Sequence, residues 1–271
     1  TGGGQAMGSM DFFGPSVTPY PGLASGTVTL QGAIDASAAG SRIYVPPRAY
    51  PGGIVIDKAR LALVHTATGV VIVPGAADTI GISITANGDY TLIDGIDVSG
   101  ARMGPESAGA GVWCLGDHVT VRNGTFKDIP YTGIGFLEAA FCVAEDNVID
   151  NILCPESQGP MNGYGIFFSD SGVTRSSDGL AQRNTIRNVR DWHGLDTHGG
   201  LRISFLDNHV SSCNRGLFLT ASAIQDSDDC EVSRNTFDLP TRRRDVLNTY
   251  PYNQVGITIV AGALGTYGAD N

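Results

Sequence analysis

The 271-residue sequence has no apolar run approaching the roughly 18 residues that a membrane span requires, so no membrane partner is expected. Charge is scarce: Asp, Glu, Lys and Arg make up 16% of the chain, with a net charge of -10. No basic stripe offsets that acidity, which argues against nucleic acid as a partner. An anionic glycan stays open, because a local arginine cluster acts even within an acidic protein. The five cysteines (Cys114, Cys142, Cys154, Cys213, Cys230) show no CxxC spacing. That speaks against zinc and for buried free thiols, with room for one disulfide. No glycine-rich loop follows a strand and opens a helix, so no nucleotide phosphate site is expected. Nor does a basic segment leading into an apolar one open the chain. The expectation is a signal peptide already removed or never present.

What the chain has instead is glycine, 37 residues of it, and short apolar runs within a 42% hydrophobic composition. That balance favours an all-β protein over a helical one. The opening TGGGQAMGSM, residues 1–10, reads as tag or linker, leaving 11–271 as a single domain. From residue 111 the chain keeps restarting: GVWCLGD, GIGFLEA, GIFFSDS, GLDTHGG, GLFLTAS and GITIVAG. These repeats are led by Gly111, Gly133, Gly165, Gly194, Gly216 and Gly256. After the first five comes an asparagine: Asn123, Asn147, Asn184, Asn208 and Asn235. The shortest spacing, 22 residues, separates Gly111 from Gly133 and Gly194 from Gly216. A unit that short cannot enclose a core alone, whereas stacked coils can, each pairing its strands with the next. One asparagine per coil then stacks into a ladder whose amides hydrogen-bond along the axis. Upstream, RIYVPP, GGIVID, LALVHT, VVIVPG, IGISIT and YTLIDGIDVSG read as earlier strands of the same stack. TVTLQGAIDASAAG, residues 27–40, reads as one amphipathic helix capping the first coil.

That helix, the SRIYVPPRAYPGG after it and the Gly-Ile and Asn repeats resemble the right-handed parallel β-helix proteins of the pectate-lyase-like superfamily. The resemblance implies an all-β fold: a single-stranded right-handed parallel β-helix, a solenoid with an N-terminal capping helix. The superfamily holds polysaccharide lyases, uronan epimerases, glycoside hydrolases and phage tailspike depolymerases, so it does not choose a reaction. No cap is evident after GITIVAG, and the expectation is a fragment or one protomer of a homotrimer.

Counted from each repeat glycine, the first and third following residues are almost wholly apolar and predict the inward face. The second and fourth then point outward. They form two columns: Trp113, Gly135, Phe167, Asp196, Phe218, Thr258, and Leu115, Leu137, Ser169, His198, Thr220, Val260. Both columns turn ionisable together in the fourth coil, which places Asp196 and His198 on one exposed face. Before the glycines stand Thr132, Tyr164, His193, Arg215 and Val255. Tyr164, His193 and Arg215 are therefore predicted as axial neighbours, about 4.8 Å apart. A phenol, an imidazole and a guanidinium in succession suit proton abstraction beside a carboxylate. Trp113, Phe167 and Phe218 offer ring faces to a sugar, and Asp170 is a candidate cation ligand or second carboxylate. Loop lengths single out the same coil. Gly194 to Asn208 spans 14 residues, against 19 in the coils before and after. CPESQGPMNGY, SGVTRSSDG and LPTRRRDVLNTYPYNQ flank it and predict a groove with 193–198 as its floor. The RRR at 242–244 is a further candidate contact for an acidic glycan.

HGLDTH is similar in layout to the motif of alginate (mannuronan) C5-epimerases: tyrosine, glycine, an apolar residue, aspartate, proline, histidine. The resemblance implies Asp196 and His198 as the catalytic Asp and His. His193 stands where that family has tyrosine, and Thr197 where it has proline. The family's further acid on the following coil has no counterpart, since Phe218 holds the equivalent position, and Tyr164 is the candidate for the missing phenol. The expected catalytic set is thus His193, Asp196, His198, Tyr164 and Arg215. The expected substrate-binding set is Trp113, Phe167, Asp170, Phe218 and Thr220. The activity expected is proton abstraction at C5 of a uronate in an acidic polysaccharide, giving β-elimination or epimerisation. The alternatives are a tailspike-type glycoside hydrolase using Asp196 and a second carboxylate, and a non-catalytic glycan-binding or structural β-helix. No metal set and no required cofactor are expected, with Ca2+ left open as an extra neutraliser. The expected setting is secreted or virion-associated.

Overall fold

The computed structural model describes residues 17–18, 20–75, 79–100, 109–153, 163–189, 192–222, 225–239, 255–260, 263–264 and 267–269. The expected tag at 1–10, Cys154, the RRR at 242–244 and most of the first and third flanking loops lie outside them. The described chain is nearly all strand, wound through one ten-stranded and two eight-stranded sheets, with every described pairing parallel. This is the all-β parallel solenoid that the repeats predict, with successive coils adding one strand to each sheet. No helix among the described residues is long and apolar enough to cross a membrane.

Strand alternation builds the core. In the sheet that carries the repeat glycines, Ile82, Val112, Ile134, Ile166, Leu195 and Leu217 are in register and fully buried. A second inward file runs Ile84, Cys114, Phe136, Phe168, Thr197, Leu219. Phe136 and Phe168 stack there with centroids 4.9 Å apart. Each such Ile, Leu or Phe contributes about 1.5–3 kcal/mol by leaving water, so the stack is held mainly along its own axis. Thr197 interrupts this file with a buried hydroxyl that has no hydrogen-bond partner.

The repeat glycines answer to crowding rather than to an unusual φ. A Cβ on Gly165 would sit 2.3 Å from the carbonyl oxygen of Gly194, and one on Gly194 would sit 2.4 Å from Val210 Cγ1. At Gly111, Gly133, Gly165, Gly194 and Gly216 each coil passes its neighbour so closely that only a hydrogen fits, whereas at Gly256 the atom nearest to such a Cβ is 3.7 Å away.

The asparagine ladder forms, one residue displaced at its start. Asn147 donates to Asn184 Oδ1 at 3.1 Å, Asn184 to Asn208 at 3.0 Å, and Asn208 to Asn235 at 2.9 Å. All four are buried. Asn123 is not a rung. Pairing of Thr125 with Val148 sets Gly124 opposite Asn147, and it is the Gly124 N–H that donates to Asn147. Asn123 is exposed and falls in a different column, with Asp146, Arg183, Asp207 and Arg234, all left-handed with φ between 53° and 56°. An Asn beside Gly tolerates that conformation, which is how one asparagine mimics the ladder residue next to it.

The single amphipathic helix expected over 27–40 is two shorter ones, Pro21–Ser25 and Leu30–Ala36. Thr29 caps the second by accepting from the Gly32 N–H. It stops at Ala36 because Ser37 is already extended, its hydroxyl turned back to the Ala33 carbonyl. Leu30, Ala33 and Ile34 cover the first coil as expected of a cap. The four described cysteines are free and buried. Burial pushes Cys213 up to about 12 and Cys230 to about 11, so both behave as small apolar side chains.

Candidate active site

Strand His193–His198 lies between Tyr164–Ser169 and Arg215–Thr220. The register aligns Tyr164 with His193 and Arg215, Phe167 with Asp196 and Phe218, and Ser169 with His198 and Thr220. All three columns read from the sequence are therefore real. Their exposure is not as expected. Asp196 is 1% exposed and His193 0%, whereas alternation alone put Asp196 on an open face. The rings of neighbouring coils close over the strand: Phe218 stacks on His193 at 4.3 Å, and Tyr164 approaches both His193 and His198 edge-on.

Inside that cover the polar atoms form a chain. Arg215 Nη1 lies 3.2 Å from His193 Nε2, and His193 Nδ1 lies 2.7 Å from Asp196 Oδ2. A guanidinium only donates, so Nε2 accepts and the proton of His193 resides on Nδ1, from which it donates to Asp196. Burial drives the His193 imidazole far below the usual histidine range, and Arg215 and His198 push the same way. Burial also lifts the Asp196 carboxyl well above the usual carboxylate range, against an opposing pull from Arg215. The other carboxyl oxygen, Oδ1, sits 3.3 Å from His198 Nε2, and neither atom has an aligned hydrogen-bond partner. His198 is lowered by burial, partly offset by Asp170, and its side chain is still 31% exposed.

This pair opens on a cavity of about 140 Å³ lined by Trp113, Tyr131, Leu137, Tyr164, Phe167, Ser169, Asp170, Asp196 and His198. Six of the predicted residues therefore converge: Tyr164, Asp196, His198, Trp113, Phe167 and Asp170. Asp170 keeps its buried Oδ2 without a partner while Oδ1 accepts the Gly172 N–H. The others take different places. His193 lies behind Asp196, and Arg215 behind His193, its guanidinium over the rings of Trp192 and Phe218 at 5.1 and 4.9 Å. Phe218, expected to face a sugar, instead covers His193. Thr220 lines nothing; its carbonyl accepts from Gly199 and Ser227. Tyr131 and Trp192 were not among the predicted residues, and Ser169 was placed in the outward column but not in the substrate-binding set. Tyr131 stands two residues before a repeat glycine, just as Trp192 does, and that position was the available signal. Of the flanking loops, 171–179 is described, tied down by Ser171 and the Thr174 N–H donating to Glu138.

The ligand atoms of His193, Asp196 and His198 also lie within 4.8 Å of one another, as a metal site would require. Both His193 nitrogens are already engaged, so Arg215, His193 and Asp196 as placed make a hydrogen-bonded chain, with His198 beside it.

A family model for the right-handed β-helix region matches residues 65–238. The chain belongs to this family. No curated protein matches it. Among solved structures, this β-helix is similar to an alginate lyase from Paenibacillus, with 13% identity, TM-score 0.62, and coverage of 89% of this chain and 91% of that one. It is similar to PfbA, a surface adhesin of Streptococcus pneumoniae, with 12% identity, TM-score 0.57, and coverage of 89% and 71%. It also matches ORF18 of Geobacillus virus E2 with 10% identity, TM-score 0.54, covering 76% of this β-helix and 48% of the viral chain, about half its length. At such identities the shared property is the fold. What the β-helix adds at 193–198 is a carboxyl raised above its usual range and an imidazole lowered below its own, side by side at the edge of a cavity. Such a pair can give one proton and take another without a net change of charge.

Proposed function

We propose that this β-helix is a carbohydrate-active enzyme that removes the C5 proton of a uronate in an acidic polysaccharide. The observation that carries the proposal is the Asp196–His198 pair, 3.3 Å apart, beside a cavity walled by Tyr164. A C5 proton becomes removable when the charge developing on the adjacent carboxylate is met by a donor. Asp196, whose carboxyl burial biases towards the protonated form, supplies that donor from Oδ1. Its donation to the substrate carboxylate leaves His198 Nε2 free to take the C5 proton. Burial suits both, since it disfavours the charged form of each. His193 and Arg215 are positioning residues: they hold Asp196 through its other oxygen and do not reach the cavity. Tyr164 carries the second proton. Passed to the glycosidic oxygen it completes β-elimination; passed to the opposite face of C5 it completes epimerisation.

The fold likeness to an alginate lyase supports an acidic polysaccharide, and the likenesses to a viral protein and a surface adhesin support an extracellular or virion-borne setting. A second reading has one observation in its favour. Asp170 and Asp196 line the same cavity, and paired carboxylates are what glycoside hydrolysis uses. Incubation with alginate, polygalacturonate and glucuronate-containing polymers in D2O separates the two. Ultraviolet absorbance of an unsaturated product marks a lyase, and C5 deuterium without cleavage marks an epimerase. New reducing ends without unsaturation would favour hydrolysis. If none of these polymers gains deuterium or unsaturation, the C5 proposal fails.

A further inference from the structure

Two groups of aromatic rings lie outside the core, and they differ in what their faces do. Tyr90, His118 and Phe141 stack face to face, with interplanar angles of 3° and 6°, so each inner face is used by the next ring. In the cavity, Trp113 meets Phe167 at 69° and Tyr131 at 37°, and Tyr131 meets Phe167 at 71°, with centroids 5.6 to 6.5 Å apart. No pair among these three is stacked in parallel, and all three border the cavity. Gly135, between Trp113 and Phe167 in the column, makes the arrangement possible. A Cβ there would come within 2.6 Å of the Phe167 ring, which lies back across it towards Trp113.

The direction of this wall matters. Trp113 is three strands from Asp196, or ~14 Å along the axis at the usual spacing. A polysaccharide lying along the sheet with one residue at the Asp196–His198 pair therefore meets Phe167 one strand away and Trp113 a few sugar residues further on. Aromatic faces carry negative quadrupole charge, which attracts the C–H face of a pyranose and repels a carboxylate. The described lining of the cavity adds Asp170 and contains no Lys or Arg.

We propose that Trp113, Tyr131 and Phe167 form a subsite for an uncharged sugar, so that the substrate is a mixed polysaccharide in which a neutral residue lies within a few residues of the uronate. The choice of a uronate at the pair rests on the function proposed above; the subsite itself does not. Calorimetric titration with β-1,4-linked mannohexaose and β-1,4-linked mannuronate hexamer tests it directly, since the two differ only in hydroxymethyl against carboxylate at C5. The native chain is expected to bind mannohexaose about tenfold or more tighter than the mannuronate hexamer. Trp113→Ala is expected to remove that preference, and Trp113→Leu, which keeps apolar volume in the wall, to do the same. Equal or tighter binding of the mannuronate hexamer, or a preference that survives in both variants, overturns the subsite. Failure of the C5 proposal would show instead as absence of turnover on every uronate polymer, with the titration still deciding the subsite.

Discussion

Asp196 Oδ1 and His198 Nε2 face one another across 3.3 Å, both shielded from solvent and neither held by an aligned hydrogen bond. The second oxygen of the same carboxyl accepts from His193 Nδ1 at 2.7 Å. One oxygen fixes the group and the other is left to act. That division of labour is the basis of the predictions for the site.

Asp196→Asn and His198→Ala should each lower kcat by about 10²-fold or more, the usual worth of a positioned acid or base. Rates of unsaturated-product formation or C5 deuterium uptake give the comparison, with melting temperature as the control for folding. Activity within about threefold of native for either variant would remove the pair from the mechanism.

Arg215→Met should lower kcat by about tenfold or more with little change in KM, because it acts on the orientation of Asp196 and not on the substrate. Nitrogen chemical shifts of the His193 ring supply a second readout. The native protein should show Nδ1–H alone, and the variant a mixture of tautomers.

Stability should respond to pH through two opposed contributions. Burial lowers both His193 and His198, so the unfolded chain binds more protons below the ordinary histidine value, and stability falls as pH drops from there. Asp196 is raised, so the folded chain alone keeps that proton, and stability falls as pH climbs towards its folded value. Each group contributes at most about 1.4 kcal/mol per pH unit. Melting temperatures of Asp196→Asn should lose the decline with rising pH attributed to that carboxyl and keep the acid loss from the two histidines; an unchanged pH profile would contradict the burial argument.

Asn184→Ala should cost about 2–3 kcal/mol, since it leaves the Asn147 main-chain N–H and one Asn147 amide N–H without partners and removes a donor from the Ala144 carbonyl. Asn123→Ala should cost well under half of that, its amide being exposed and bound to Asp94 alone. Urea unfolding of the two variants checks the order, and equal losses would refute the displaced ladder.

Gly194→Ala should destabilise by about 1–3 kcal/mol through overpacking against Val210 and the Gly216 carbonyl. The same measurement on Gly40→Ala is a useful contrast in cause. No atom lies within 4 Å of that Cβ, and the cost there comes from a φ of 84°.

Much of this protein is local in origin and so was written in the sequence. Period-2 alternation set the strands and the two inward files. The repeat glycines marked each corner where coils nearly touch, and counting from them placed Asp196, His198, Tyr164, His193 and Arg215 in their columns. What counting cannot supply is cover. Whether an outward side chain meets water depends on rings that arrive from other coils, and Phe218 and Tyr164 close over a strand that alternation had left open. That burial raises the Asp196 carboxyl and lowers the His198 imidazole, while Arg215 meets His193 and does not line the cavity. The one-residue displacement of Asn123 has the same origin: its neighbour Gly124 was placed on the ladder by pairing with the next coil, a contact 23 residues away in the chain.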